Sequence, residues 1–450
     1  MSLRLLSILA ALALIAPARA ADDRPPNVLL IISDDHAWTD YGFMDHPEIK
    51  TPRLDRLAAG SLRFRRGYVP SSLCSPSLAT ILTGLYPHQH KITSNDPPPP
   101  PAGSPARKKA ARRQPGARAE LIDLFDRVPT LPRLLGSAGY ESFQTGKWWG
   151  GDYRHGGFTG GMSHGDVTKG GRHGDAGLDI GRKTMQPALD FIDKANAAGK
   201  PFLLWYAPML PHSPHNPPER LLAKYRDRTP SIEVAKYWAC VEWFDETCGQ
   251  LLDHLDARGI ADDTLVVYVA DNGWIQDPTA DRYAPRSKQS PYDGGLRTPI
   301  LLRWPGKVAP ADAPELASSI DLAPTILAAA GVKPTAEMPG INLRDADARA
   351  RRDAIFGACF THDAVDLARP ESSLRFRWTV AGPYKLIVPA RPNEPDAPVE
   401  LFDITDDPHE TRNLAATHPE VVRRLADRLD RWWPAAPAAD PQPAPGAPPR

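Results

Sequence analysis

Six short stretches of this 450-residue chain carry residue types that can do chemistry, and most of them follow an apolar run. Asp34-Asp35 follows Asn27 to Ser33, and Asp271-Asn272 follows Thr264 to Ala270. Lys147 follows Tyr140 to Thr145, and His212 and His215 lie just beyond Pro201 to Tyr206. Cys74 precedes an apolar run, and Lys288 stands in a polar, glycine-containing stretch. Adjacent carboxylates such as Asp34-Asp35 are costly to bury unless a cation or hydrogen-bond donors offset them. The plainer alternative is a helix cap at a strand-to-helix turn. Pro76 suits the first turn of a helix, and Ser75 or Ser77 can cap it. Cys74 then sits at a helix N-terminus, where free N–H groups favour negative charge. Its plainer alternative is a small buried hydrophobe.

The elements around these residues read as α/β. Asn27 to Ser33, Pro201 to Tyr206 and Thr264 to Ala270 are short continuous apolar runs, as expected for strands buried on both faces. In open α/β sheets ligands bind beyond the carboxyl ends of the strands, which is where Asp34, His212 and Asp271 fall. Thr51 to Gly60 predicts a helix with a capping Thr, Pro at the first position and a closing Gly. Thr130 to Gly139 predicts another, and Glu233 to Arg258 a long amphipathic one. Cys240 and Cys248 lie in that long helix about 12 Å apart. That is too far for a disulfide, so both are expected in the core.

Lys plus Arg and Asp plus Glu each number 54, so the formal net charge is zero. That disfavours a nucleic-acid or membrane-surface binder and leaves room for a small anionic substrate. Arg4, the apolar run Leu5 to Ile15 and Ala18-Arg19-Ala20 read as a secretory signal over residues 1–21. The run is too short to span a bilayer, and no later run is longer, so the product is expected to be secreted or periplasmic. Pro97 to Glu120, with five consecutive prolines and the cluster Arg107, Lys108, Lys109, Arg112 and Arg113, reads as an exposed loop insertion. Gly150 to Gly181, rich in Gly, His and Asp, reads as a loop rimming the site rather than a metal-binding segment. Residues 434–450 are a Pro/Ala-rich tail.

The stretch Cys74-Ser75-Pro76-Ser77-Leu78-Ala79, followed by Thr83-Gly84, resembles the signature of type I, formylglycine-dependent sulfatases, of the alkaline-phosphatase-like superfamily. Gly146-Lys147-Trp148-Trp149-Gly150, the Pro211-His212 segment, Asp271-Asn272-Gly273 and the stretch from Lys288 resemble further segments of that family. The resemblance covers nearly all of the mature chain. It implies a large mixed, mostly parallel sheet sandwiched by helices over residues 22–350. A small C-terminal subdomain, an antiparallel sheet plus a helix, follows over 351–433.

The resemblance also implies a chemistry. Cys74 would be oxidised to formylglycine by a formylglycine-generating enzyme. Asp34, Asp35, Asp271 and Asn272, with position 74, would hold a metal ion. Oxygen ligands suit calcium, with magnesium the alternative, and no Cys/His spacing for zinc is present. Lys147 and Lys288 would bind sulfate, and His212 would contact the leaving oxygen, with His215 a further candidate for substrate contact. The implied reaction is hydrolysis of a sulfate ester of a carbohydrate or an aryl alcohol. A phosphate or phosphonate ester hydrolase, or an unmodified protein that binds sulfated glycans without turnover, are the alternatives. The sequence departs from the family at Leu78, where the pattern has arginine, and at Trp149, where it has histidine.

Overall fold

The computed structural model describes residues 24–100, 115–166 and 169–434. The expected signal segment, most of the basic insertion and nearly all of the tail lie outside them. Strands in chain order are β1 (Asn27–Ser33), β2 (Leu62–Phe64), β3 (Gly67–Tyr68), β4 (Glu141–Gly146), β5 (Gly160–Gly161), β6 (Phe202–Ala207) and β7 (Thr264–Ala270). They continue with β8 (Ile300–Arg303), β9 (Ala311–Asp312), β10 (Ala317–Ser318), β11 (Ile355–Phe360), β12 (Leu374–Ala381), β13 (Tyr384–Pro389) and β14 (Glu400–Asp403).

The main sheet runs β5-β4-β6-β1-β7-β8-β2-β9. β4, β6, β1 and β7 are mutually parallel neighbours, and β8 is antiparallel to both β7 and β2. Central strand β1 is apolar throughout because both of its faces are covered. Leu29 and Ile31 pack with Leu204, Tyr206, Val266 and Tyr268 under the helices Pro52–Ala59, Gln186–Ala197 and Ile232–Ala257. Val28, Leu30 and Ile32 point the other way, with Leu203, Trp205, Leu265 and Val267, against the helices Cys74–Thr83 and Leu322–Ala329. The period-2 split of one strand between two cores is what builds the helix–sheet–helix sandwich.

The C-terminal sheet, β11-β12-β13-β14, is antiparallel. Leu386 and Leu401 face Val421, Leu425 and Leu429 of the helix Pro419–Trp432. Their neighbours Ile387 and Phe402 join Trp378 and Val380 in the core of the main domain. A buried ionic cluster adds to this seam. Lys385 of β13 is fully buried, 2.7 Å from Asp293 Oδ1 and 2.8 Å from Glu410 Oε1. Tyr68 donates to Asp293 Oδ2 at 3.0 Å.

Two sequence expectations about caps need correction. Thr51 does not cap its helix: its hydroxyl accepts from Gly42 N and donates to Asp55. The N–H groups of Arg53 and Leu54 are instead taken by Asp245, from the middle of the long helix. Neither Ser75 nor Ser77 caps the Cys74 helix; Asn95 Oδ1 accepts from Ser75 N at 2.8 Å. The insertion is also shorter than expected, because Pro115–Asp123 is a helix. Its Arg118 is buried against Asp96.

Lys385→Met leaves Glu410 buried without its cation and Asp293 with only Arg297, 3.8 Å away. Breaking a buried pair in this way costs about 3–5 kcal/mol, so the denaturation midpoint should fall sharply. Adding Glu410→Gln should recover much of that loss, and no recovery would contradict the electrostatic account.

Candidate active site

The carboxyl ends of four parallel strands meet at one point. β1 ends in Asp34-Asp35, and β7 ends in Asp271-Asn272. Backbone bonds zip the two ends together: Asp271 N donates to Ser33 O at 2.9 Å and His36 N to Asn272 O at 3.1 Å. Asp35 N also donates to Asp271 Oδ1 at 3.1 Å. Asp35 sits at φ 58°, a left-handed conformation that Asp tolerates better than most residues. β4 delivers Lys147 through Gly146, whose φ is 76°. A Cβ there would lie 2.0 Å from Ala207 O, so only glycine lets the lysine turn inward.

Lys147 is 1% exposed. Its Nζ donates to Asp34 Oδ1 and lies 3.0 Å from Cys74 Sγ and 3.1 Å from Asp271 Oδ2. Lys288 Nζ donates to Asp35 Oδ2 at 2.7 Å. Asn272 Nδ2 donates to Asp35 Oδ1 at 2.7 Å, and Asn272 Oδ1 is 3.5 Å from Cys74 Sγ. His212 Nε2 stands 3.3 Å from Asp35 Oδ2, while its Nδ1 faces Ser213 O at 2.6 Å. The structure therefore gathers Asp34, Asp35, Cys74, Lys147, His212, Asp271, Asn272 and Lys288 at one place. His215 is not among them. Its ring is buried edge-on to Tyr237 and Trp274, and Nδ1 faces Asp281 at 2.8 Å, one layer behind the cluster.

Burial dominates the electrostatics. It raises Asp34 and Asp271 to about 6 each, against the pull of Lys147. Burial would raise Asp35 too, but Lys288, His212 and Lys147 outweigh it and hold Asp35 below the usual carboxylate range. Burial pushes the Cys74 thiol up to about 11, with Lys147 and Lys288 pulling the other way. A thiol so placed is not a nucleophile at neutral pH. Burial likewise pushes His212 down to about 3, although Asp35 favours its charged form.

The donor set fits a hard cation. Ligand atoms of Asp34, Asp35 and Cys74 lie within 4.8 Å of one another. Asp34 Oδ2 is buried and has no hydrogen-bond partner, which is unusual for a carboxylate oxygen. With Asp271 and the Asn272 amide oxygen alongside, the cluster offers the oxygen ligands that hard cations take.

The two departures from the family pattern have physical homes. Leu78 is 2% exposed within the main apolar core. Trp149 is also buried, with Lys147 Nζ 5.8 Å and the Arg172 guanidinium 5.5 Å from its ring centre. The Gly150 to Gly181 segment closes over this side. Its Asp152 and Asp175 cap turns at Arg154 N and Gly177 N, and His173 tilts against Trp149.

Comparison with known proteins matches this architecture. The sulfatase family model covers residues 26–332, and the model described as N-sulphoglucosamine sulphohydrolase, C-terminal, covers 286–433. The chain is a member of the sulfatase family. It is 30% identical over 361 residues to human N-acetylgalactosamine-6-sulfatase, covering 71% of this chain and 65% of that protein. It is 30% identical over 386 residues to human arylsulfatase A, covering 75% and 69%. A solved structure described as bound to its substrate D-glucosamine-2-N,6-O-disulfate superposes with a TM-score of 0.69 at 19% identity, covering 93% of this chain and 99% of that one. The alignment to the first relative thus spans just under two thirds of that protein's length.

A residue beside the site, Arg182, was not evident from the sequence. Arg182 donates from Nε to Met209 O at 2.7 Å and from its terminal nitrogens to His212 O and Asn216 Oδ1, each at 2.6 Å. It clamps both flanks of the loop that carries His212. Arg182→Met is expected to lower kcat about tenfold on an alkyl sulfate while changing KM little. A fall in KM-limited binding alone would contradict a positioning role.

Proposed function

We propose that this protein hydrolyses sulfate esters, with formylglycine derived from Cys74 as the nucleophile and calcium as the bound ion. The observation that carries the reading is Cys74 at a buried helix N-terminus, in contact with Lys147 beside three carboxylates. Oxidised to formylglycine, position 74 would supply a hydrated-aldehyde hydroxyl as nucleophile. A cation held by Asp34, Asp35, Asp271 and Asn272 would supply positive charge next to the ester.

The chain's own residues supply the rest. Lys147 and Lys288 stabilise charge that develops on the sulfate oxygens, in a site where water is largely excluded. Three carboxylates and two ammoniums leave the cluster with one net negative charge when His212 is neutral. A divalent cation turns that into one positive charge, which a singly charged sulfate ester neutralises. A doubly charged phosphate monoester overshoots. This balance favours sulfate over phosphate monoesters. A phosphonate monoester, singly charged as well, is the alternative that remains on charge grounds.

His212 acts on the leaving oxygen. Its Nδ1–H is committed to the Ser213 carbonyl, so Nε2 can donate only from the imidazolium form. Burial keeps the ring neutral in the resting cluster, and Asp35 at 3.3 Å opposes that burial and favours the imidazolium when a proton is taken up. The name of the human relative N-acetylgalactosamine-6-sulfatase supports a sulfated amino sugar as the substrate, and that of arylsulfatase A an aryl sulfate. The sulfated-glycan binder without turnover is the competing reading if Cys74 stays unmodified. The reading of residues 1–21 as a secretory signal supports an exported protein.

The first test is the mass of the tryptic peptide Gly67 to Lys91 from protein made in its native host. A formylglycine peptide is expected. A wholly unmodified Cys74 peptide in protein that still turns over sulfate esters would overturn the mechanism. His212→Ala should cost about 10²–10⁴-fold in kcat on a sugar sulfate. Its effect on 4-nitrophenyl sulfate, whose phenolate leaves unaided, should be much smaller. Equal losses on both would remove His212 from the leaving-group role.

A further inference from the structure

A second feature lies away from the catalytic cluster. The helix Pro419–Trp432 carries Arg424, Arg428 and Arg431 at spacings that place them along one side. With Asp353, Phe356 and Trp432 they line an open groove of about 580 Å³. Asp353 neutralises Arg428 at 2.5 Å. Among the described residues, Arg424 and Arg431 have no ion pair or hydrogen bond, and both are exposed. The wall of the groove is aromatic: Phe356 and Trp432 stack at 5.5 Å with an interplanar angle of 13°.

We propose that this groove is an exosite for an anionic polysaccharide, holding a segment of substrate remote from the ester being cleaved. The two unpaired guanidiniums present forked donors that match sulfate or carboxylate groups. The aromatic pair offers an apolar surface to the carbon-bound face of a sugar ring. This rests on the sulfated-sugar reading above. Trp432 also packs edge-on to Tyr86 at 4.9 Å and His88 at 5.1 Å, just beyond the C-terminal end of the helix that starts at Cys74. The ten residues of that helix are all buried and span about 15 Å, so a ligand reaching both places follows the surface over more than that length and is a polymer rather than a monosaccharide. The 435–450 tail, which follows Trp433-Pro434 at the groove, contains one acid and one base, Asp440 and Arg450.

The test compares full-length protein with the Arg424→Gln/Arg431→Gln variant and a charge-matched control, Lys307→Gln/Lys333→Gln, at exposed sites outside the groove. Affinity for dextran sulfate, measured at one fixed ionic strength, should fall about tenfold in the arginine variant and by less than twofold in the control. On a polymeric sulfated glycan, kcat/KM of the arginine variant should fall through KM, with turnover of 4-nitrophenyl sulfate unchanged. Equal affinity for dextran sulfate in all three proteins would overturn the exosite. So would a groove that binds duplex DNA as tightly as dextran sulfate, which would make it a general polyanion surface. Dextran sulfate binding that appears only once residues 435–450 are removed would show the tail to be the occupant, and would overturn it too. Because dextran sulfate affinity needs no turnover, a protein inactive on every sulfate ester would sink the catalytic reading while the exosite is still decided.

Discussion

The structure depends on the mutual compensation of charges that no folded protein could bury singly. Asp34, Asp35 and Asp271 are all but inaccessible, and so is Lys147. An isolated ionised group moved into such a place would lose several kcal/mol of hydration free energy. Here each carboxylate has an ammonium, an amide or a backbone N–H beside it. The sheet makes this possible, because parallel neighbours bring their carboxyl ends to the same edge. One residue more in β1 or β7 would alternate the side chains onto the wrong face. The excess of negative charge that remains, together with the orphaned oxygen of Asp34, leaves the cluster able to accept a cation.

Leu78 and Trp149 alter the neighbourhood of position 74 in one direction. An arginine at 78 would have to place its guanidinium in an interior occupied by apolar side chains. Trp149 offers Lys147 a ring face instead of a hydrogen-bond partner. Among the described residues, the close polar contacts of Cys74 Sγ are Lys147 Nζ and Asn272 Oδ1. Lys147 therefore takes on the task of orienting the group at position 74 as well as its part in charge balance. Asn95 compensates at the backbone level, tying Ser75 N so that the helix start is fixed without a side-chain cap of its own.

What was legible in the sequence followed from local pattern. Apolar runs ending in polar residues placed Asp34, His212 and Asp271 on one edge, because strand burial and the position of strand ends are both short-range consequences of sequence. Cys240 and Cys248 read correctly as unpaired, since helical rise alone separates them. The supporting residues were not legible. Asp245 caps a helix 191 positions away, and Lys385 joins Asp293 across 92. Arg182 and Asn95 carry no motif; their value lies in which backbone atoms the tertiary fold brings within reach. His212 and His215 mark the limit of such patterns. A Pro-His-x-Pro-His pattern offers two histidines, and only the path of the loop decides that one faces the carboxylates and the other is buried behind them.

The same burial constrains the order in which this protein is made. All ten residues of the Cys74 helix are buried, and Cys74 itself is 2% exposed. A thiol held near 11 by its surroundings is poorly reactive in the folded protein. A modifying enzyme that reads the residues around Cys74 must therefore meet them in extended form, before the helix packs against Leu322–Ala329 and the sheet. On the formylglycine proposal, folding and modification compete for the same segment. The apolar contacts that Leu78 adds to the helix strengthen the packing side of that competition.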